Sequence, residues 1–166
     1  MPSHDIVIRE AMFPRDATAV AHVCAASATH HARLDPASYR VPDIDTLVRH
    51  YRRVRPRTSA SVILVADQGG HIVGAAEVRL LGAPQAASML RPIPTASIEL
   101  AVLHHDRGGS VRELLAHASE DWARAHGVRR VQLDVLARNR HVLESFRKRN
   151  SYEIAGVVLT KTLDPA

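Results

Sequence analysis

The sequence predicts a mixed α/β (α+β) fold, because segments with strand periodicity alternate with segments of helical periodicity along all 166 residues. Hydrophobic residues make up 46% of the chain, which is enough for a packed core. No apolar run reaches the ~20 residues of a membrane-spanning helix. The amino terminus also lacks the basic and apolar pattern of a secretory signal. We therefore expect one globular cytoplasmic domain over residues 1–166, away from membranes.

The predicted elements follow the order β-α-α-β-β-β-α-β-α-β. Six segments have the alternation or β-branched composition of strands: residues 6–10, 61–66, 71–80, 95–103, 131–135 and 152–163. Four segments with helical periodicity lie between residues that begin and end helices: Asp16 and Asp35, Asp43 and Pro56, Ser110 and Gly127, and Asn139 and Asn150. We expect Asn139 to cap the last helix with its side chain, and Asn150 to end it with a positive φ.

One segment has the pattern of an anion-binding site. Residues 95–103 predict a strand, Gly108 and Gly109 predict a turn, and Ser110 begins a helix. Backbone N–H groups and the positive dipole end at a helix amino terminus attract a phosphate, which glycines allow to come close. A plain tight strand–helix turn has the same pattern, so both interpretations stay open from these residues alone.

Four features follow one another along the chain: that segment, the strand around Leu133-Asp134-Val135, Asn139 at a helix start, and the final strand. Together they resemble the GNAT superfamily of acetyl-CoA-dependent N-acetyltransferases. The resemblance covers nearly the whole chain and includes residues 8–11, 31–36, 65–74 and 159–163. It implies a mixed central sheet of six to seven strands flanked by about four helices. It also implies direct acetyl transfer from acetyl-CoA to a small-molecule or peptide amine in a ternary complex. A homodimer is a further family expectation.

The resemblance also implies which residues bind the cofactor. The strand before the turn would face the pantetheine arm, with the Val102 amide polarising the thioester, and the turn would surround the pyrophosphate. The implied cofactor-binding residues are Leu100, Val102, Leu103, Arg107, Gly108, Gly109, Ser110, Val111, Arg112, Asn139 and Phe146. We expect Arg112 to bind a phosphate directly, because a guanidinium offers a fork of donors.

The catalytic candidates are Glu99 and Tyr152. Acetyl transfer needs a base near the incoming amine, and Glu99 occupies the strand position where several family members place a glutamate. Glu77 on the preceding strand is the second candidate for the base. At the position of Phe146 many family members carry the tyrosine that protonates the leaving thiolate, so Tyr152 or water would take this role here.

Two other functions stay open. The turn is one residue shorter than the family pattern Arg-Gly-x-Gly-x-Gly, and Phe146 has no proton to give, which is typical of a non-catalytic binding or regulatory domain with this fold. The arginines of residues 49–57 are compatible with nucleic-acid binding, but helical spacing places them on a solvated face with few aromatics, so this function ranks last. No histidine pair has the spacing of a metal site, so we expect no metal.

Overall fold

The computed structural model describes residues 5–103, 110–161 and 163, which form four helices and a five-stranded sheet. The elements are β1 (Ile6–Glu10), α1 (Ala17–Leu34), α2 (Ile44–Arg53), β2 (Ser61–Gln68), β3 (His71–Leu80), β4 (Thr95–Val102), α3 (Ser110–Ala125), β5 (Arg130–Gln132) and α4 (Arg140–Arg149). The predicted mixed fold class is confirmed. The predicted strand count of six to seven is too high for the described residues.

The sheet follows the spatial order β1-β2-β3-β4-β5, with antiparallel pairing everywhere except between β4 and β5. β4 and β5 are parallel and pair only from Thr95 with Arg130 to Ser97 with Gln132. β4 continues beyond this point to Val102, still paired with β3 on its other edge. Within the described residues, no strand therefore pairs with the β5-facing edge of β4 over its carboxyl-terminal part, which we call the uncovered edge.

The sheet separates two aliphatic cores. Since alternate residues of a strand face opposite sides, β2 places Val62 and Leu64 against α3, and Ile63 and Val65 against α1 and α2. All four side chains are buried. Only 4% of the residues are aromatic, and the two cores are accordingly built mainly from valine, leucine, isoleucine and alanine.

The helix ends follow local sequence signals in part. Gly127 has a φ of 75°, as a glycine after a helix end predicts, and the Asp43 carboxylate accepts a hydrogen bond from the Thr46 N–H at 2.9 Å. Asn139 and Asn150 do flank the last helix as predicted, but the cap bond predicted for Asn139 and the positive φ predicted for Asn150 are wrong. Asn139 has a ψ of 59°, outside the extended range of a capping residue, and its side chain makes no cap bond. The positive φ falls on Ser151, while Asn150 has a φ of −116°.

The predicted last strand, residues 152–163, is also wrong for the described residues 152–161 and 163, none of which is in a strand. The side chains of Val157, Val158 and Leu159 are 77%, 88% and 91% exposed. A β-branched composition forms a strand only where a neighbouring strand supplies backbone hydrogen bonds. β5 is likewise shorter than the predicted residues 131–135. In the described part of the chain, no helix has the length and apolar character needed to cross a membrane.

Candidate functional site

A cleft of about 320 Å³ opens where β4 and β5 separate. Leu100, Val102 and Leu103 line one wall, residues 133–136 after β5 line the other, and Phe146 of α4 also borders it. A more open groove of about 460 Å³ lies along α4 and residues 151–154, and it contains none of the predicted cofactor-binding residues. The cleft between the strands is therefore the candidate site.

The uncovered edge of β4 presents backbone groups to this cleft. The Leu103 N–H donates to the Val73 carbonyl of the β3 side at 3.0 Å. Because successive N–H groups of an extended chain point to opposite edges, the Val102 N–H points towards the cleft. An extended ligand can bind this edge in place of the missing part of β5.

The start of α3 packs closely against β3 beside the cleft. Val111 is buried, and a Cβ added at Gly74 would lie 2.8 Å from its Cγ1 and 2.9 Å from Leu115 Cδ1. The absence of a side chain at Gly74 thus makes room for Val111. Arg112, the next residue of α3, lines the cleft. The positive end of the α3 dipole and a guanidinium therefore lie at the same side of the cleft.

Glu99 lies outside the cleft lining, on the sheet face that carries α1 and α2. Its carboxylate is exposed and forms an ion pair with Arg79, whose Nε is also 3.6 Å from Glu77 Oε1. On the same face the Cys24 thiol and the Tyr51 hydroxyl are 3.1 Å apart. Burial raises the pKa of both Cys24 and Tyr51, and the negative charges of the two glutamates add to each shift. This face therefore holds two half-buried groups that stay protonated, and two carboxylates that pair with one arginine.

Tyr152 packs behind the cleft wall. Its hydroxyl donates to Glu120 Oε1 of α3 at 2.8 Å, and its ring centroid is 5.2 Å from that of Phe146. Burial raises the pKa of Tyr152, and the hydrogen bond to the Glu120 carboxylate raises it further. The hydroxyl is thus directed to α3, and Tyr152 is not among the residues that line the cleft.

Comparison with known proteins identifies the family. The family model described as the acetyltransferase (GNAT) family matches residues 26–151. The chain belongs to the acetyltransferase (GNAT) family. No curated protein matches the chain.

Solved structures with the GNAT fold are similar over nearly the whole chain. A mutant of the BH1408 protein from Bacillus halodurans has 21% identity and a TM-score of 0.82, covering 95% of this chain and 99% of that one. Glucosamine-6-phosphate N-acetyltransferase from Arabidopsis thaliana has 16% identity and a TM-score of 0.64, covering 96% and 99%. The aminoglycoside N-acetyltransferase AAC(6')-Iy in complex with CoA has 15% identity and a TM-score of 0.63, covering 95% of both chains.

The structure brings together several of the residues for which the GNAT resemblance implies cofactor binding. The predicted residues that line the cleft are Leu100, Val102, Leu103, Arg112, Asn139 and Phe146. Ser110 and Val111 lie at the adjacent start of α3 but not in the lining. Arg107, Gly108 and Gly109 lie outside the described residues. The predicted catalytic residues Glu99 and Tyr152 are not brought to the cleft.

Sequence reasoning expected the first two helices to shape the acceptor pocket but named none of the α1 side chains that line this GNAT-family cleft. Ser27, His30 and His31 near the end of α1 line it, and Asp134 and His141 also belong to its lining. The available signal was the pair Ser27 and His31, which are polar residues four apart on the otherwise apolar stripe of α1. In residues 5–103, 110–161 and 163, no group of three metal-ligating side chains comes together.

Proposed function

We propose that this chain is an N-acetyltransferase that transfers the acetyl group of acetyl-CoA to a primary amine. The observation that carries the proposal is the cleft between the separated β4 and β5, beside the start of α3, in a chain of the GNAT family. Two features of the cleft support acetyl-CoA as its ligand, an uncovered strand edge and a helix amino terminus with an arginine.

The pantetheine arm is extended and carries amides, so it suits the uncovered edge of β4. Leu100 and Leu103 supply apolar contacts, and Asn139 and Phe146 border the opposite side. Arg112 and the backbone at the start of α3 then bind the pyrophosphate.

The Val102 N–H is assigned to the acetyl carbonyl oxygen. The amine nitrogen attacks the carbonyl carbon, a C–N bond forms, and the C–S bond breaks as CoA leaves. Negative charge collects on the carbonyl oxygen during attack, and an N–H already oriented towards that oxygen stabilises it without reorganisation. The rest of the rate enhancement comes from holding amine and thioester together.

The acceptor is a small-molecule or peptide amine, with its pocket shaped by α1, α2 and the loop at residues 81–94. The half-buried polar residues of α1 that line the cleft support an entrance on this side. A cytoplasmic location, a single domain over residues 1–166 and a homodimer stay predictions.

Calorimetric titration with acetyl-CoA and with CoA tests the cofactor site. We expect micromolar binding of both, and weaker binding by Asn139→Ala, because this side chain lines the cleft. Asn150→Ala is the matched control, since Asn150 lies at the other end of α4 and outside the lining. Folded wild-type protein that binds neither ligand would instead support the non-catalytic domain.

A further inference from the structure

We propose that His31 is the catalytic base that removes the proton from the acceptor amine. This inference rests on the proposed acetyltransferase function and names the proton acceptor of the same site. It places the base on α1, whereas sequence analysis placed it on the strands, at Glu99 or Glu77.

The hydrogen bonding of His31 determines which ring nitrogen is basic. Nδ1 lies 2.8 Å from the Ser27 carbonyl oxygen, one helical turn back. A carbonyl oxygen only accepts, so Nδ1 carries the hydrogen and donates it. In the neutral ring Nε2 then holds the lone pair, which is the state a general base needs. Among the described residues, no group forms a hydrogen bond to Nε2.

The ring is held in place at the cleft. His31 lines the cleft together with Val102, whose N–H we assign to the acetyl oxygen. The Tyr39 ring packs against it with centroids 5.4 Å apart, and the ring is half-buried. The end of α1 is tied to the segment before α4, because Arg138 Nη1 donates to the Leu34 carbonyl at 3.1 Å. The imidazole therefore keeps its position relative to β4.

Glu99 is less suited to this role. Its carboxylate forms an ion pair with Arg79 and lies outside the cleft lining. Transfer of a proton to Glu99 would weaken that ion pair, whereas a proton on His31 Nε2 breaks no described contact.

Other charged and titratable groups line the cleft around His31. Arg112 and Asp134 bring one positive and one negative charge to the lining. His30 and His141 also line the cleft, so other imidazoles lie in the same lining as His31. Substitution of His31 alone is therefore needed to assign a change in the pH profile to this residue.

His31 Nε2 takes one proton from the ammonium form of the acceptor, and the free amine attacks the acetyl carbonyl carbon. The C–N bond forms, the C–S bond breaks, and the second amine proton goes to the sulfur of the leaving CoA. The imidazolium then releases its proton to water, so the products are the amide, CoA and one proton.

His31→Gln tests the assignment, and His126→Gln is the matched control. The Nδ1 atom of His126 makes the same contact, 2.8 Å from the Trp122 carbonyl oxygen, but this residue is exposed and follows the end of α3. The measurement is CoA release over a pH series with spermidine, ethanolamine and glycinamide, beside hydroxylamine, whose nitrogen is largely unprotonated at neutral pH. Titration with acetyl-CoA accompanies each variant.

We expect His31→Gln to bind acetyl-CoA like wild type but to lose about 100-fold in kcat/KM for the protonated amines, together with the acidic limb of the pH profile. The loss with hydroxylamine should be much smaller, because no proton needs to be removed before attack. An unchanged pH profile, or an equal loss with all four nucleophiles, would overturn the role of His31 alone. A wild-type protein that binds no acetyl-CoA or releases no CoA with any of them would overturn the proposed function, and the role of His31 with it.

Discussion

Arg9 and Asp16 form a partly buried ion pair that joins β1 to the start of α1. Arg9 Nη1 lies 2.6 Å from Asp16 Oδ2, which also accepts the Met12 N–H at 2.8 Å, and Asp16 is only 5% exposed. Burial raises the pKa of the Asp16 carboxyl, but the bonds from Arg9 and Met12 outweigh this effect and hold the pKa below its usual value. The ionised form of Asp16 therefore stabilises the fold.

Asp16→Asn should lower the free energy of unfolding at neutral pH by about 2–4 kcal/mol, because the neutral amide no longer balances the positive charge of the partly buried Arg9. The pKa of Asp16 is lower in the folded protein than in the unfolded chain. Its stabilising effect is therefore fully present above the unfolded-state pKa and is lost as the pH falls through the folded-state pKa. Urea unfolding at neutral and acidic pH measures the difference in stability between wild type and variant, and this difference should become smaller in acid. Asp121→Asn, at an exposed pair with Arg124, is the control and should change little. If both variants lower the free energy of unfolding equally, ionised Asp16 has no special stabilising role.

Single residues also show where local sequence signals suffice. Asp43 caps α2 because its partner Thr46 is three residues away, so the contact is decided within one turn. The partners of Glu99 and Tyr152 are Arg79 and Glu120, which lie 20 and 32 residues away along the chain. No local pattern predicts such contacts, which explains why both candidate catalytic residues are found outside the cleft.

At the scale of elements, the contact between β3 and α3 positions the cleft. Gly74 faces Val111 and Leu115 with no room for a Cβ, so α3 lies close to the sheet at its amino terminus. The small residue of this contact lies on β3, so the buried Val111 is accommodated by Gly74.

Gly74→Ala should therefore shift the start of α3 and weaken acetyl-CoA binding, with a loss of about 1–3 kcal/mol in the free energy of unfolding from overpacking. Thermal unfolding and calorimetric titration measure the two effects. Gly82→Ala is the matched control, because a Cβ at that loop position meets nothing within 4 Å. If Gly74→Ala retains wild-type stability and affinity, α3 does not depend on this close approach.

At the scale of the whole molecule, the segment after α4 leaves strand-forming residues in solvent. Val158 is 88% exposed, and the neighbouring Leu159 is 91% exposed. Extended apolar segments without a partner strand promote association between copies of a protein.

Val158→Lys should reduce concentration-dependent association without changing the melting temperature by more than about 2 °C, because an exposed substitution changes few contacts. Light scattering over a concentration series and thermal unfolding measure the two quantities. Val78→Lys is the contrasting variant, since Val78 is fully buried in the sheet and its replacement should unfold the protein. A large loss of stability in Val158→Lys would mean that the segment packs against the fold in solution.

The sequence by itself determined the order of the elements from β1 to α4, the aliphatic core, and the local signals at Asp43 and Gly127. These features follow from the alternation and helical periodicity of side chains, and from contacts within one turn. Only the tertiary structure decided where β4 separates from β5, which side chains line the resulting cleft, and that His31 faces it while Glu99 and Tyr152 do not. Those properties depend on how distant segments pack together, because strand propensity specifies neither a strand's neighbour nor where the pairing ends.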